Sequence, residues 1–168
     1  LRRSNLHLLA RLRFLSSRRR FELFPPFFLM RVKIEHLSED WSSVRIRLPL
    51  NWVSANAAGN MFGGYQASLA DPVPALACLK RFPGYRVATK KLEIDFVRVG
   101  NSDLTLHFDF DDGQFREIAR ELQESGRATP GFEMRFVRED GKVCTRILNT
   151  VAIRPKGYVA PIEHHDDN

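Results

Sequence analysis

No stretch of eighteen consecutive apolar residues occurs in this chain, so no part of it reads as a membrane-spanning helix. Cysteine is scarce. Cys78 and Cys144 are the only two in 168 residues, and neither belongs to a Cys-x-x-Cys pair or stands among histidines. That spacing speaks against a disulfide framework and against a zinc site. Both cysteines read as small buried apolar residues in a reducing compartment, and the protein is expected in the cytoplasm. There is no P-loop, no dinucleotide fingerprint and no Ser/His/Asp order. His36 and His107 sit at isolated strand positions without a triad partner, and His164-His165 falls in the tail. No cofactor and no metal are expected.

Acidic residues are missing from positions 1–20, which carry seven arginines. The net charge of the whole chain is +6, so the remainder sums to −1. A nucleic-acid-binding domain carries its basic patch on the folded face; here the basicity belongs to one segment, and nucleic acid is not an expected partner. Leu8, Leu12 and Leu15 recur at helical spacing behind Ser4, which predicts a basic amphipathic helix over 1–21. An Arg-rich, acid-free segment of this kind also suits a targeting peptide or weak contact with a membrane surface.

Hydrophobic residues make up 43% of the chain, enough for a core. Phe24-Pro25-Pro26-Phe27-Phe28 is expected to end the basic helix and run extended. Val32 and Ile34, then Val44, Ile46, Leu48 and Leu50, alternate with polar residues and predict two strands. Residues 51–64 form a loop rich in Asn and Gly, and Tyr65 to Lys80 is apolar nearly all round, as in a buried helix. Strands return at Leu92–Phe96, Leu104–Phe110, Phe132–Phe136 and Val143–Ile153, with a surface helix over 112–126 and a hairpin turn at Asp140-Gly141. The order predicts an α+β fold, one helix on an antiparallel sheet. The domain is expected over 22–156, followed by a flexible tail over 157–168.

The residues with most chemical content are Asn56, Phe62, Gly63, Gly64 and Asp71. Two glycines at a helix start let a ligand approach the backbone. The free N–H groups there can hold an anion or polarise a carbonyl. Asp71 is the single carboxylate of the apolar helix. It has two readings. Asp71-Pro72-Val73-Pro74 has the form of a helix opening, with Asp71 as N-cap. Alternatively the helix starts at Gly64, and the prolines kink it beside a functional carboxylate.

The spacing Asn-x5-[His/Phe]-Gly-Gly-x6-Asp resembles the pattern of hotdog-fold acyl-CoA thioesterases of the phenylacetate-degradation type. The chain is more closely similar to the DUF4442, or tetrameric acyl-CoA thioesterase, branch of that superfamily. The likeness runs through the Phe-Pro-Pro stretch, SEDWSSVRIRLPLNW, MFGGYQASLADP and KLEIDFVRVG, roughly residues 22–154. It implies a hotdog fold in which two protomers join their sheets, as a homodimer or homotetramer, with acyl-CoA at the interface. It further implies that an amide at Gly63–Gly64 binds the thioester oxygen. Asp71, from the partner chain, would act as nucleophile or base, and Asn56 would position the water or the carboxylate. Phe62 stands where many such enzymes carry histidine. Phe62 and Tyr65 are expected to line the substrate, and Lys90 to meet a CoA phosphate or simply face water. Arg86 and Arg98 resemble Lys90 in this. A non-catalytic acyl-CoA binding protein is the alternative the same residues allow.

Overall fold

The computed structural model describes residues 16–158. Most of the expected basic helix and of the tail lie outside those residues. Ser17–Glu22 forms α1 and Pro25–Leu29 forms α2. The paired prolines therefore start a helix, and the expectation of extended chain holds only for Phe24, at φ −59° and ψ 125°. The reason is positional. Proline in the first helical turn gives up an N–H that has no acceptor there anyway.

Strands β1 (Lys33–Leu37) and β2 (Ser43–Leu48) follow, then α3 (Gly63–Ala70) and α4 (Pro72–Arg81). The rest is β3 (Tyr85–Phe96), β4 (Leu104–Asp109), α5 (Asp112–Ser125), β5 (Gly131–Arg138) and β6 (Val143–Pro155). The six strands make one antiparallel sheet in the order β1-β2-β4-β5-β6-β3. This is the hotdog fold: α3 and α4 form the central helix, and the sheet wraps it.

Period-two alternation decides which residues enter the core. Val44, Ile46 and Leu48, Leu104, Leu106 and Phe108, and Phe132, Met134 and Phe136 are buried, while Arg47, Glu133 and Arg135 between them are exposed. Leu69, Ala70, Val73, Ala77 and Cys78 bury the helix side of the same core. Burial pushes the Cys78 thiol up to about 12, as suits an inert apolar residue. α5 is capped by Asp111, whose Oδ1 accepts from Gln114 N at 2.9 Å, and ends at Gly126 with φ 70°. It seats Phe115 on Phe82 with ring centroids 5.1 Å apart.

The two outer strands are finished differently. On β1, the buried Glu22 carboxylate of α1 accepts from Ile34 N at 3.0 Å, so the preceding helix covers that edge. β3 pairs only with β6, and its other edge has no strand against it among the described residues. β3 is also longer than expected from the sequence. A bulge between Thr89 and Lys91 reverses its phase, leaving Lys90 and Lys91 exposed in succession.

The turn between β1 and β2 places Trp41 in the left-handed region, φ 63°, with its side chain buried. Asp40 holds that turn: its Oδ1 accepts from Ser42 Oγ (2.7 Å), Ser42 N (3.1 Å) and Ser38 Oγ (3.0 Å). These bonds, with Arg81 3.8 Å away, hold the Asp40 carboxyl down to about 2. A depressed carboxyl stabilises the fold above its ordinary pKa, and that contribution is lost as pH falls through the folded value. The urea midpoint of wild type should therefore exceed that of Asp40→Ala at neutral pH, and the gap should narrow between about pH 4 and pH 2. A gap that stays constant through that range would show that Asp40 acts by shape alone.

Candidate active site

The helix begins at Gly63 without a side-chain cap, Phe62 preceding it in extended conformation. Its position is fixed by the backbone: Met61 N donates to Gly100 O at 2.7 Å and Phe62 N to Ser54 O at 2.8 Å. The Gly63 and Gly64 N–H groups have no acceptor among the described residues. Free donors at a helix start suit a developing negative charge. The glycines also make room for two rings of their own chain. A Cβ on Gly63 would lie 2.8 Å from Cζ of Phe96, and one on Gly64 would run into the ring of Phe62. Both rings are half exposed, and Phe62 meets Tyr65 edge-on with centroids 5.7 Å apart.

Asn56 is engaged within its own loop. Its Oδ1 accepts from Ala58 N at 2.9 Å and Asn60 N at 3.1 Å, which folds residues 56–60 back before the helix. Lys90 is the exposed residue of the β3 bulge and has no ion pair among the described residues. Arg86 and Arg98 donate to the carbonyls of Tyr158 (3.3 Å) and Val143 (2.8 Å). His107 lies on the outer face of the sheet. Burial and the flanking Arg45 and Arg135 lower its pKa, with no nucleophile beside it. Among the described residues no group of His, Cys, Asp and Glu is arranged to hold a metal.

Asp71 resolves in favour of the kinked helix. Its backbone is helical at φ −52° and ψ −54°, and its side chain caps nothing. Asp71 N donates to Ala67 O at 3.0 Å, so α3 and α4 follow one path. Pro74 has no N–H for Ala70 O. That carbonyl and the next receive other donors: Asn149 Nδ2 reaches Ala70 O at 3.4 Å and Asp71 O at 2.9 Å, and Thr89 Oγ1 reaches Asp71 O at 2.9 Å. One turn earlier, Gln66 Oε1 accepts from Thr145 Oγ1 at 2.6 Å, both buried. The sequence reading missed this line of polar residues. Its signal is Thr145 and Asn149 at inward positions of β6, in step with Ile147 and Val151.

The Asp71 carboxylate is exposed and free of any hydrogen bond or ion pair among the described residues. Eight residues of helix separate it from Gly63, a rise of about 12 Å. The structure therefore does not bring the two together within one chain. Asp71 instead opens into a cleft of 840 Å³ between α1–α2 and the outer face of α4, lined by Phe21, Phe27, Trp41, Leu76 and Leu79 among others. A second cleft, of 680 Å³, lies on the sheet among Glu93, Asp95, Glu133, Arg135 and Arg146, with neither Asp71 nor the glycines in its lining.

The DUF4442 family, described as a domain of unknown function, matches residues 14–153. The chain belongs to this family. Its structure is similar to that of a protein of unknown function from Pseudomonas aeruginosa called a probable thioesterase. The TM-score is 0.68 at 23% identity, over 77% of this chain and 86% of that one. A thioesterase from Haemophilus influenzae matches with TM-score 0.63 at 16% identity, over 90% and 96% of the two chains. A hypothetical thioesterase from Streptococcus pneumoniae, solved with coenzyme A, matches with TM-score 0.55 at 19% identity, over 74% and 86%. No curated protein matches the chain. At these identities the likeness establishes the shared fold.

The kink gives a test of its own. Asn149→Ala removes the side-chain donor from the buried Ala70 carbonyl and one of two from that of Asp71, and should cost about 1–3 kcal/mol of stability by urea unfolding. A loss below about 0.5 kcal/mol would mean that Thr89 and solvent suffice there.

Proposed function

We propose that this chain is an acyl-CoA thioesterase whose site is completed by a second copy. The observation that carries the reading is the Asp71 carboxylate, unpartnered among the described residues, beside an apolar cleft on a backbone whose carbonyl Asn149 and Thr89 hold. The Gly63 and Gly64 amides supply the other half of an acyl-transfer site, and within one chain they stand too far along the helix. The open β3 edge supports pairing with a partner's β3, which would set one chain's Asp71 against the other's glycines. The exposed Trp52, Phe62, Phe96 and Val99 also suit burial by a second copy. The coenzyme A bound to the Streptococcus pneumoniae structure supports a CoA thioester as substrate.

In this reading the thioester oxygen lies on the glycine N–H groups, which stabilise the tetrahedral oxyanion. Asp71 takes a proton from the water that attacks the carbonyl carbon, or attacks that carbon itself. The C–S bond then breaks, and the thiolate of CoA leaves and is protonated; on the second route a water then cleaves the mixed anhydride left on Asp71, releasing the acid and restoring the carboxylate. Phe62 donates no hydrogen bond, so the backbone amides carry the oxyanion without side-chain help. Asn56 acts by shaping the loop before the helix, and Lys90 on the bulge is available to a CoA phosphate.

The test is hydrolysis of an acyl-CoA series by wild type and Asp71→Asn. Because a positioned base is worth that much, Asp71→Asn should lower turnover about a hundredfold or more, with KM little changed. Acyl-CoA binding by a wild type that hydrolyses none of the series would make this a non-catalytic acyl-CoA binding protein. Undiminished hydrolysis by Asp71→Asn would remove Asp71 from the mechanism.

A further inference from the structure

One wall of the cleft beside Asp71 is built by parts of the chain outside the central helix and its strands. α1 and α2 present a wall of rings: Phe21 stacks on Phe27 with centroids 4.5 Å apart, Phe27 meets Phe24 at 5.2 Å, and Trp41 lies edge-on to Phe21 at 6.1 Å. The wall is fixed from both ends. Glu22 anchors α1 to Ile34, and the Asp40 turn holds Trp41. Opposite it, Pro72, Leu76 and Leu79 form one stripe along α4 at helical spacing. Leu79 is 43% exposed and Phe24 37%, so apolar surface on both walls stays uncovered.

Three features identify the occupant. The volume of 840 Å³ is that of a small-molecule site. Among the described residues the lining carries a single carboxylate, Asp71, and two cations, Arg20 and Lys80, whose long apolar stems can cover a hydrocarbon. The stripe runs from Asp71 to Lys80, about 13 Å of helix. An extended aliphatic chain of roughly eleven or twelve carbons, each bond of about 1.5 Å advancing about 1.3 Å along the zigzag, has the same length.

We infer that this cleft holds the acyl chain, and that the chain it fits is unbranched, aliphatic and of medium length, with its carbonyl at Asp71 and its tail running along α4 toward Lys80. The inference rests on the thioesterase reading for the position of the carbonyl; the hydrocarbon site itself rests on the cleft. Each methylene taken into an apolar site is worth about a fourfold gain in binding. Selectivity should therefore climb with chain length until the cleft is full, and then stop.

The experiment compares kcat/KM for butyryl- through palmitoyl-CoA in wild type, Leu79→Trp and Leu76→Trp. Leu79 is partly exposed, so its replacement carries the smaller folding risk, and thermal unfolding checks both variants. Wild type should favour decanoyl- over butyryl-CoA by at least about a hundredfold. The ratio should fall at least about tenfold when tryptophan shortens the cleft. An unchanged ratio in both folded variants overturns the inference while leaving the thioesterase reading standing. If wild type hydrolyses nothing, the catalytic reading fails, and binding of 11-(dansylamino)undecanoic acid decides the cleft separately. Binding to wild type that weakens at least about tenfold in Leu79→Trp supports the site. No binding to wild type overturns it, whatever fills the cleft.

Discussion

A helix with two prolines at its middle has fewer hydrogen bonds of its own there, and neighbouring strands can hold the carbonyls around the gap. Here Asn149 and Thr89 do so, from β6 and β3, at the carbonyls of Ala70 and Asp71. Both donors belong to the pairing of β3 with β6, which runs from Tyr85–Pro155 to Phe96–Thr145. The position of Asp71 is thus set by the sheet rather than by the helix alone. Any shift of register along β3 would move Thr89 away from the kink. The Asn149 Oδ1, buried and without a partner among the described residues, is the price of using an amide there. An apolar residue at 149 would avoid that orphan atom but leave the Ala70 carbonyl without its donor, with Thr89 still on that of Asp71.

Much of the fold was legible because its strands are half buried. Leu104, Leu106 and Phe108 announce β4 through strict alternation, and Asp111 with Gly126 brackets α5 by its caps. The first half of β3 was harder to read, since the bulge at Lys90 breaks the alternation that defines a strand. The Phe-Pro-Pro stretch misled for a related reason. Proline stops a helix from inside and opens one from its first turn, and the letters alone do not say which end they occupy.

The candidate site was legible in composition and less so in geometry. Gly63, Gly64 and Asp71 stand out in sequence, and the structure places them where a helix start and a helix kink put them. The cap reading of Asp71 rested on local rules that ignore Asn149, seventy-eight residues away in the chain. The contribution of Phe21, Phe24, Phe27 and Trp41 to the cleft is likewise non-local. Each is an ordinary aromatic in its own segment, and only packing against α4 makes them one wall.

The two tryptophans differ as widely as two indoles can. Trp41 is 7% exposed and lines the cleft, whereas Trp52 is 83% exposed on the loop before the helix. The molecule therefore carries a built-in pair of optical reporters. Emission from Trp41 belongs at the blue side of the band and is sheltered from a quencher in solution, and emission from Trp52 belongs at the red side and is open to it. A bound chain in the cleft would change the first colour alone, and a neighbouring protein seated over the loop would change the second.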